Sequence, residues 1–298
     1  PKENLLDTAS VDFVFDFINK NNIDKVFLQI RSRGDALYQS DLVPKHENLS
    51  IDFDPLNYFL EKNIYKNVEI HAWINTYILW SGKSLPSDSL HFYYKCPDCL
   101  ESDFNGKSDK NIILNQYQSK NWEGVYLSPT HPRVNNHLLN VIDELISNYN
   151  LDGIHLDYIR YQDSFYGYNK EGLSEFINLN NFNPKDLDRG IISKRFGFTE
   201  EYIDSVKNIW DSFRINKINE FIRSVKYSLI NNSLDIKLSA AVKPNYIEAK
   251  YRWYQDWLSW INEDLVDFVV LKNYKENLSE FNFCNKLTDN VLSDFDIE

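Results

Sequence analysis

LDGIHLDYIRY, residues 151–161, is the stretch of sequence that decides how this chain folds. A short apolar run leads directly into Asp157, and Arg160 follows it closely. A buried strand that ends in a carboxylate and a guanidinium places both groups where a parallel sheet presents its active site, at the carboxyl ends of the strands. This stretch alone leaves a second interpretation open, in which Asp157 and Arg160 form a structural pair that caps the strand.

The same pattern of helix followed by apolar strand extends along most of the chain. Strand candidates lie at 25–30, 68–74, 153–157, 236–242 and 266–271. Amphipathic helices are predicted before them at about 9–20, 54–63, 133–149, 203–231 and 253–262. Nearly continuous apolar strands that alternate with helices are typical of a parallel sheet covered on both faces, so the sequence predicts an α/β fold.

Polar or aromatic residues follow every strand candidate, and this arrangement favours a TIM-type (β/α)8 barrel. An open doubly wound sheet is the alternative, but no glycine-rich phosphate loop follows any of the strands. Two polar insertions, at about 78–122 and 162–202, come after strand ends and are expected to build walls over the site. Without an internal repeat or a low-complexity linker, one domain over 1–298 is predicted.

The charge of the chain restricts its partners. Its 298 residues carry a formal net charge of −12, which argues against nucleic acid and against an anionic membrane surface. No apolar stretch is long enough to span a membrane. The chain contains 19 Tyr, 19 Phe and 7 Trp, and such rings either stack on sugars or fill a large core, with the core slightly favoured by composition alone. The sequence gives no indication of the oligomeric state.

Cys96 and Cys99 have the C-x-x-C spacing of redox and zinc motifs. A zinc site would need two more ligands, and the sequence contains no second C-x-x-C pair. A local disulfide or a pair of inert thiols is the favoured interpretation. No metal ion or other cofactor is predicted.

Seven ordered segments carry a resemblance to a known family. They are FLQIRSRGDALYQSDLVP (27–44), EIHAWINTY (69–77), GVYLSPTHPRVNNHLLNVIDELISNYNLDGIHLDYIRY (124–161), WDSFR (210–214), LSAAV (238–242), QDWLSWI (255–261) and DFVVLKNY (267–274). Together they resemble the glycosyl-hydrolase-like family ten of bacterial glycosidases. The resemblance implies a (β/α)8 glycosidase fold, hydrolysis of a bacterial polysaccharide such as peptide-free peptidoglycan strands, and an extracytoplasmic location.

The register of that family identifies the five strand candidates as barrel strands two to six. The first strand of the family would precede Pro1, and strands seven and eight would follow Glu298. A barrel truncated at both ends is therefore expected. The sequence also contains no methionine, which indicates a processed form or an excised fragment.

Glycoside hydrolysis commonly uses two carboxyl groups. Asp157 is the strongest candidate for one of them, because the D-G-x-x-x-D spacing of Asp152 and Asp157 resembles the fourth strand of several barrel glycosidase clans, where the second Asp is the nucleophile. The glutamate of chitinases is missing, since Ile159 occupies its position. The second carboxylate stays open between Asp35, in the loop after the first strand, and Asp256 and Glu248, which lie beyond the fifth strand of the family register.

Side chains at the strand ends are the candidates for substrate binding. Paired N–H donors of an arginine suit a carboxylate or an acidic sugar substituent. The predicted binding residues are Arg31, Asn75, Tyr77, Tyr158, Arg160, Asn273 and Tyr274. The sequence therefore predicts a glycoside hydrolase acting on a bacterial polysaccharide, with a non-catalytic glycan-binding barrel as the alternative.

Overall fold

The computed structural model describes residues 2–64, 68–111, 123–232 and 235–294. Helices α1 to α10 span Thr8–Lys20, Pro55–Asn63, Phe92–Lys95, Pro132–Asn148, Lys170–Asn180, Lys185–Asp188, Glu200–Asn231, Tyr246–Arg252, Trp257–Asn262 and Leu278–Asp294. Strands β1 to β7 span Lys25–Arg31, Glu69–Asn75, Ile78–Trp80, Val125–Tyr126, Gly153–Asp157, Lys237–Val242 and Phe268–Leu271. Short 3-10 turns occur at Lys2–Leu5, Asp109–Asn111 and Lys194–Phe196.

Five strands form one parallel sheet in the order β1-β2-β5-β6-β7. These are the five strands predicted from the sequence, in chain order. The register places Asn75 of β2 opposite Asp157 of β5, so both lie at the same edge of the sheet. That edge carries the carboxyl ends of all five strands, which is the usual position of the site in this type of fold.

The two faces of the sheet differ in polarity because side chains alternate along each strand. One face carries fully buried apolar residues such as Ile70, Ala72 and Ile154, which belong to the main hydrophobic core. The buried sides of α1, α2, α4 and α7 contribute to the same core. The other face includes Gln29, Trp73, Asn75, His155, Asp157 and Ser239.

The start of β5 depends on two residues of the motif quoted at the outset. The Asp152 carboxylate accepts a hydrogen bond from the Ile70 backbone N–H at 2.7 Å, which fixes the register between β2 and β5. Gly153 leaves room for the His71 ring, because a Cβ there would lie 2.0 Å from His71 Nδ1. Asp152 and Gly153 are thus structural, and the functional candidate of the motif is Asp157 at the opposite end of the strand.

The sheet curls strongly. Phe27 on β1 and Phe268 on β7 belong to opposite edge strands, yet their ring centroids are 6.4 Å apart. His71 of β2 also contacts the Phe268 ring, at 5.8 Å. The polar face is therefore the inside of a barrel-like curve. Among the described residues no strand joins β7 to β1, so the barrel is not closed there.

The predicted helix at about 253–262 is wrong at its start. Helix α8 ends at Arg252, and Tyr254 then adopts a left-handed backbone with φ of 55°. Gln255 instead uses its side chain to bind the backbone, donating to the carbonyls of Ile159 and Ala241. These tertiary hydrogen bonds hold residues 253–256 outside the helix, and α9 begins only at Trp257.

The two predicted insertions have structure of their own. The first contains β3, α3 and the Cys96–Cys99 disulfide, and β3 pairs antiparallel with β4. Its residues 112–122 lie outside the described part of the chain. The second contains α5 and α6, which sequence reasoning did not predict. Its Tyr168 and Phe176 form a small apolar cluster with Trp210 of α7. None of the described helices combines the length and apolar character needed to cross a membrane. The assignment of 1–298 to one domain stays a prediction.

Candidate active site

Asp157 ends the central strand β5 and is ion-paired across the sheet edge. Its Oδ1 accepts hydrogen bonds from Lys272 Nζ at 2.6 Å and from the Tyr158 backbone N–H at 2.7 Å. Lys272 directly follows β7, so its side chain reaches past the end of β6. Tyr158 has a φ of 51°, a conformation that is strained for a residue with a side chain. This turn brings the Tyr158 ring to 4.6 Å from Lys272 Nζ.

A second carboxylate, Glu123, lies in the same cluster. Arg160 Nη2 forms an ion pair with Glu123 Oε2, and the Tyr126 hydroxyl donates to the same oxygen. Burial by itself would raise the pKa of Glu123, but Arg160 and the Tyr126 hydrogen bond outweigh it and lower that pKa below its usual value. Burial, followed by the charges of Glu123 and Asp157, raises the pKa of Tyr158 to about 12. The negative charges of both carboxylates therefore raise the pKa of the same tyrosine.

A cavity of about 500 Å³ opens beside this cluster, between the ends of β6 and β7 and helix α10. Lys243, Lys272 and Lys275 line it, together with the aromatic rings of Trp253 and Tyr274. Tyr274 is 83% exposed. Burial lowers the pKa of Lys243, and the neighbouring Arg160 lowers it further. Cations are thus crowded at this end of an otherwise acidic chain.

The β1–β2 half of the same edge is closed. Arg31 is fully buried, and its Nη1 donates to the backbone carbonyl of Asn75. The Asn75 amide donates to the Ser32 carbonyl at 2.9 Å, and its oxygen accepts from Trp73 Nε1 at 2.9 Å. The Tyr77 hydroxyl donates to Asn135 Oδ1 at 2.9 Å. Each of these three predicted binding residues makes hydrogen bonds within the protein, while Arg31 Nε and Nη2 have no partner among the described residues.

The other two candidate catalytic carboxylates pair with residues close to them in the sequence. Asp35 Oδ2 lies 3.9 Å from His46 Nε2 and 4.0 Å from Arg33 Nη2. Asp256 accepts from the Tyr246 hydroxyl at 2.7 Å and lies 2.9 Å from Lys250 Nζ. Both are buried.

The structure brings together only part of the predicted site. Four of the predicted residues lie together in one cluster: Asp157, Tyr158, Arg160 and Tyr274. Asn273, although adjacent to Tyr274, turns its amide to the Phe281 carbonyl and to Asn285 of α10. The roles predicted for these residues stay predictions.

Sequence reasoning missed three residues of the cluster: Glu123, Lys243 and Lys272. Lys243 and Lys272 directly follow strands, so their position was a usable signal. Glu123 precedes β4 within a predicted insertion and follows no strand of the main sheet. Only the family segment that begins at Gly124 lay close enough to point to it.

The sequence matches a known protein family over most of its length. The sequence model of the family Glycosyl hydrolase-like 10 matches residues 4–293. The chain belongs to this family. The family resemblance inferred from the seven sequence segments is therefore confirmed.

Two curated relatives are named as glycosyl hydrolases. YngK of Bacillus subtilis (strain 168) is 23% identical over 284 residues, which cover 88% of this chain and 48% of YngK. DigH of Escherichia coli (strain K12) is 22% identical over 160 residues, which cover 50% of this chain and 34% of DigH. The chain thus spans about half the length of YngK and about a third of the length of DigH.

A solved structure supports the fold. The glycoside hydrolase domain of PgaB (BpsB) from Bordetella bronchiseptica superposes with a TM-score of 0.67 at 12% identity, covering 97% of this chain and 78% of that domain. At such low identity the likeness shows the fold alone. It confirms the predicted α/β fold of the barrel type for this member of Glycosyl hydrolase-like 10.

Proposed function

We propose that this chain is a glycoside hydrolase domain that cleaves an anionic bacterial polysaccharide. Membership of Glycosyl hydrolase-like 10 supports glycan hydrolysis. The observation that carries the proposal is the position of Asp157, a carboxylate at the carboxyl end of the central strand, beside a cavity lined by cations and aromatic rings. Barrel glycosidases place their catalytic carboxylates at this edge.

Glu123 is proposed as the partner of Asp157. Each carboxylate holds a cation, Lys272 on Asp157 and Arg160 on Glu123, and ion-paired carboxylates suit the roles of nucleophile or base. One of the two must release its cation to protonate the leaving oxygen. A negatively charged sugar entering the cavity would compete for Lys272, which leaves Asp157 buried without its ion pair.

The proposed substrate is peptide-free peptidoglycan. Removal of the stem peptides leaves a free lactyl carboxylate on every second sugar, so these strands are anionic. The cavity offers three lysines against Glu248 and Glu280, and Glu248 is already paired with Arg252 at 2.9 Å. A locally basic cavity in a chain of net charge −12 favours such a ligand. Because this polymer lies outside the cytoplasmic membrane, an extracytoplasmic location is proposed with it.

The test compares substrates that differ in charge. The purified chain is incubated with peptide-free peptidoglycan, with peptide-bearing peptidoglycan and with neutral chitin oligosaccharides, and released fragments are measured by mass spectrometry. Release is expected from the peptide-free strands. Equal release by wild type and by Asp157→Ala would show that Asp157 is not catalytic. Preferential cleavage of chitin oligosaccharides would show that the substrate is not anionic.

A non-catalytic glycan-binding domain is the second candidate function. It is favoured by the low exposure of Asp157, at 3%, and by the open sheet of the described residues. Binding of peptide-free strands in a sedimentation assay, with no fragments released over a prolonged incubation, would support this alternative over hydrolysis.

A further inference from the structure

A second group of chemically reactive side chains lies away from the Asp157 cluster. Cys96 and Cys99 follow helix α3 in the first insertion, and both side chains are fully buried. Asp98 lies between them in sequence. His131 immediately precedes helix α4 and is 2% exposed. Two segments that are far apart in the sequence thus meet at this point, which we call the Cys–His cluster (Cys96, Asp98, Cys99 and His131).

The donor atoms of the Cys–His cluster converge. One donor atom from each of the four residues lies within 4.8 Å of all the others. Cys99 Sγ is 3.6 Å from His131 Nδ1, and Cys96 Sγ is 3.3 Å from Asp98 Oδ1. In a tetrahedral zinc site with bonds of about 2.0–2.3 Å, neighbouring ligand atoms are roughly 3.3–3.8 Å apart. These two separations already match that geometry.

The histidine provides an independent observation. His131 Nδ1 accepts from the Arg133 backbone N–H at 3.2 Å, so Nε2 carries the proton of the neutral ring. That Nε2 is buried and has no hydrogen-bond partner among the described residues. Asp98 Oδ2 lies 3.7 Å away, too far for a hydrogen bond. An unsatisfied buried ring nitrogen is costly, and a bound ion that draws Asp98 inward would satisfy it.

We propose that the dithiol form of the Cys–His cluster binds one divalent cation of the zinc type. Cys96 and Cys99 each release a proton to solvent and form a sulfur–metal bond. His131 Nδ1, whose lone pair is released by the Arg133 N–H as the metal binds, and the Asp98 carboxylate complete the site. Two thiolates and an imidazole select zinc over magnesium or calcium, which prefer oxygen ligands. Formation of the disulfide removes two electrons and two protons from the cysteine pair and leaves no thiolate, so disulfide and cation exclude each other.

The surrounding backbone holds the ligands in place for either state. The Ser128 N–H donates to the Cys99 carbonyl at 2.9 Å, and the Asn169 amide donates to the Asp98 carbonyl at 2.7 Å. His131 is at the amino terminus of a 17-residue helix, whose dipole stabilises nearby thiolates. A cation would therefore join the first insertion to α4 in exchange for the His131 cap on the Arg133 N–H, and the oxidation state of the cysteine pair would decide whether it binds.

Cobalt(II) is the probe of choice, because thiolate-bound tetrahedral cobalt gives characteristic visible and near-ultraviolet bands. The protein is reduced with a phosphine, freed of reductant and titrated with Co²⁺ without oxygen. One Co²⁺ per chain with these bands, displaced by Zn²⁺, is the expected result. Protein kept in the disulfide form is expected to show no bands, and this comparison needs no mutation.

Variants then assign the ligands. Cys99→Ser and His131→Asn are each expected to weaken binding by about 10-fold or more, in the range known for perturbed metal sites. Cys284→Ser, which changes the one cysteine outside the disulfide, is the matched control and should bind as wild type does. Reduced wild type that shows no bands, or bands of equal strength in disulfide-form protein or in Cys96→Ser/Cys99→Ser, would overturn the proposal.

Discussion

The two halves of the strand-end edge carry similar residue types and have opposite properties. At β1–β2, Arg31 and Asn75 are buried and donate to backbone carbonyls. At β5–β7, Asp157, Arg160 and Lys272 form ion pairs with side chains beside a cavity of about 500 Å³. A polar residue after a strand is therefore not enough to indicate a site. What matters is whether it borders a cavity, as Lys272 does, or is enclosed by the fold, as Arg31 is.

The largest expected effect separates Asp157 from Asp35. Asp157→Asn keeps the size of the side chain and removes its charge, so kcat should fall by about 10²–10⁴-fold, the range for loss of a general acid or base. Asp35 lies within 4.0 Å of Arg33 and His46, both in its own loop, and Asp35→Asn should leave kcat within a few-fold of wild type. Rates of reducing-end formation test this. An equal loss in both variants would make the β1–β2 half catalytic too.

The pH dependence of stability tests the buried histidine on β5. His155 lies two positions before Asp157, with Nδ1 2.9 Å from Ser239 Oγ, and burial lowers its pKa from 6.5 to about 4. The unfolded chain therefore binds the proton more tightly than the folded one. The contribution of neutral His155 to the free energy of unfolding is fully present above about pH 6.5. It falls by up to about 3 kcal/mol as the pH drops to 4.

Urea unfolding at pH 7, 5.5 and 4.5 measures this dependence. His155→Gln keeps a hydrogen-bonding side chain at the same position but does not titrate, so its stability should change less over that range. A pH dependence as steep in the variant as in wild type would show that His155 is not responsible.

Glu123 is the next most informative residue. Glu123→Gln removes the charge that Arg160 holds, and we expect kcat to fall by about 10²-fold, the lower end for an acid or base. Asp256→Asn is the matched control, because Asp256 pairs with Lys250 and Tyr246 instead. If Asp256→Asn lost more activity than Glu123→Gln, the partner of Asp157 would be Asp256.

Arg31→Met tests whether Arg31 stabilises the fold and does not bind substrate. Its charged hydrogen bonds to the Asn75 and Thr76 carbonyls should contribute about 1.5–3 kcal/mol to the free energy of unfolding, as charged hydrogen bonds do. Chemical denaturation should show a loss of that size, with kcat per folded molecule close to wild type. Unchanged stability with lost activity would instead place Arg31 at the substrate.

Tyr274 should give the smallest effect. Its ring is 83% exposed at the cavity, and a stacked ring contributes about 0.5–1.5 kcal/mol. Tyr274→Ala should therefore raise KM by roughly 2- to 12-fold with kcat unchanged. Tyr227→Ala, an exposed tyrosine on α7, is the control and should leave KM unchanged. Equal KM in both variants would remove Tyr274 from the binding surface.

The sequence by itself determined the α/β fold and the five strands of its sheet. The nearly continuous apolar run of strands such as β2 and the capping of helices are local properties. Asp54, for example, accepts from the Asn57 N–H at 2.9 Å just before Pro55 begins α2. The sequence also placed Asp157 at a strand end, because the apolar run of β5 stops there.

Only the tertiary structure decided which strand-end residues are free to act. Glu123 reaches Arg160 through a loop that no periodicity describes, and Lys272 reaches Asp157 across the end of β6. Gln255 breaks the predicted Trp-rich helix by binding the backbone near β6. Each of these outcomes depends on a hydrogen bond or ion pair between residues distant in sequence, and such pairings form only once the sheet has curled and brought its strand ends together.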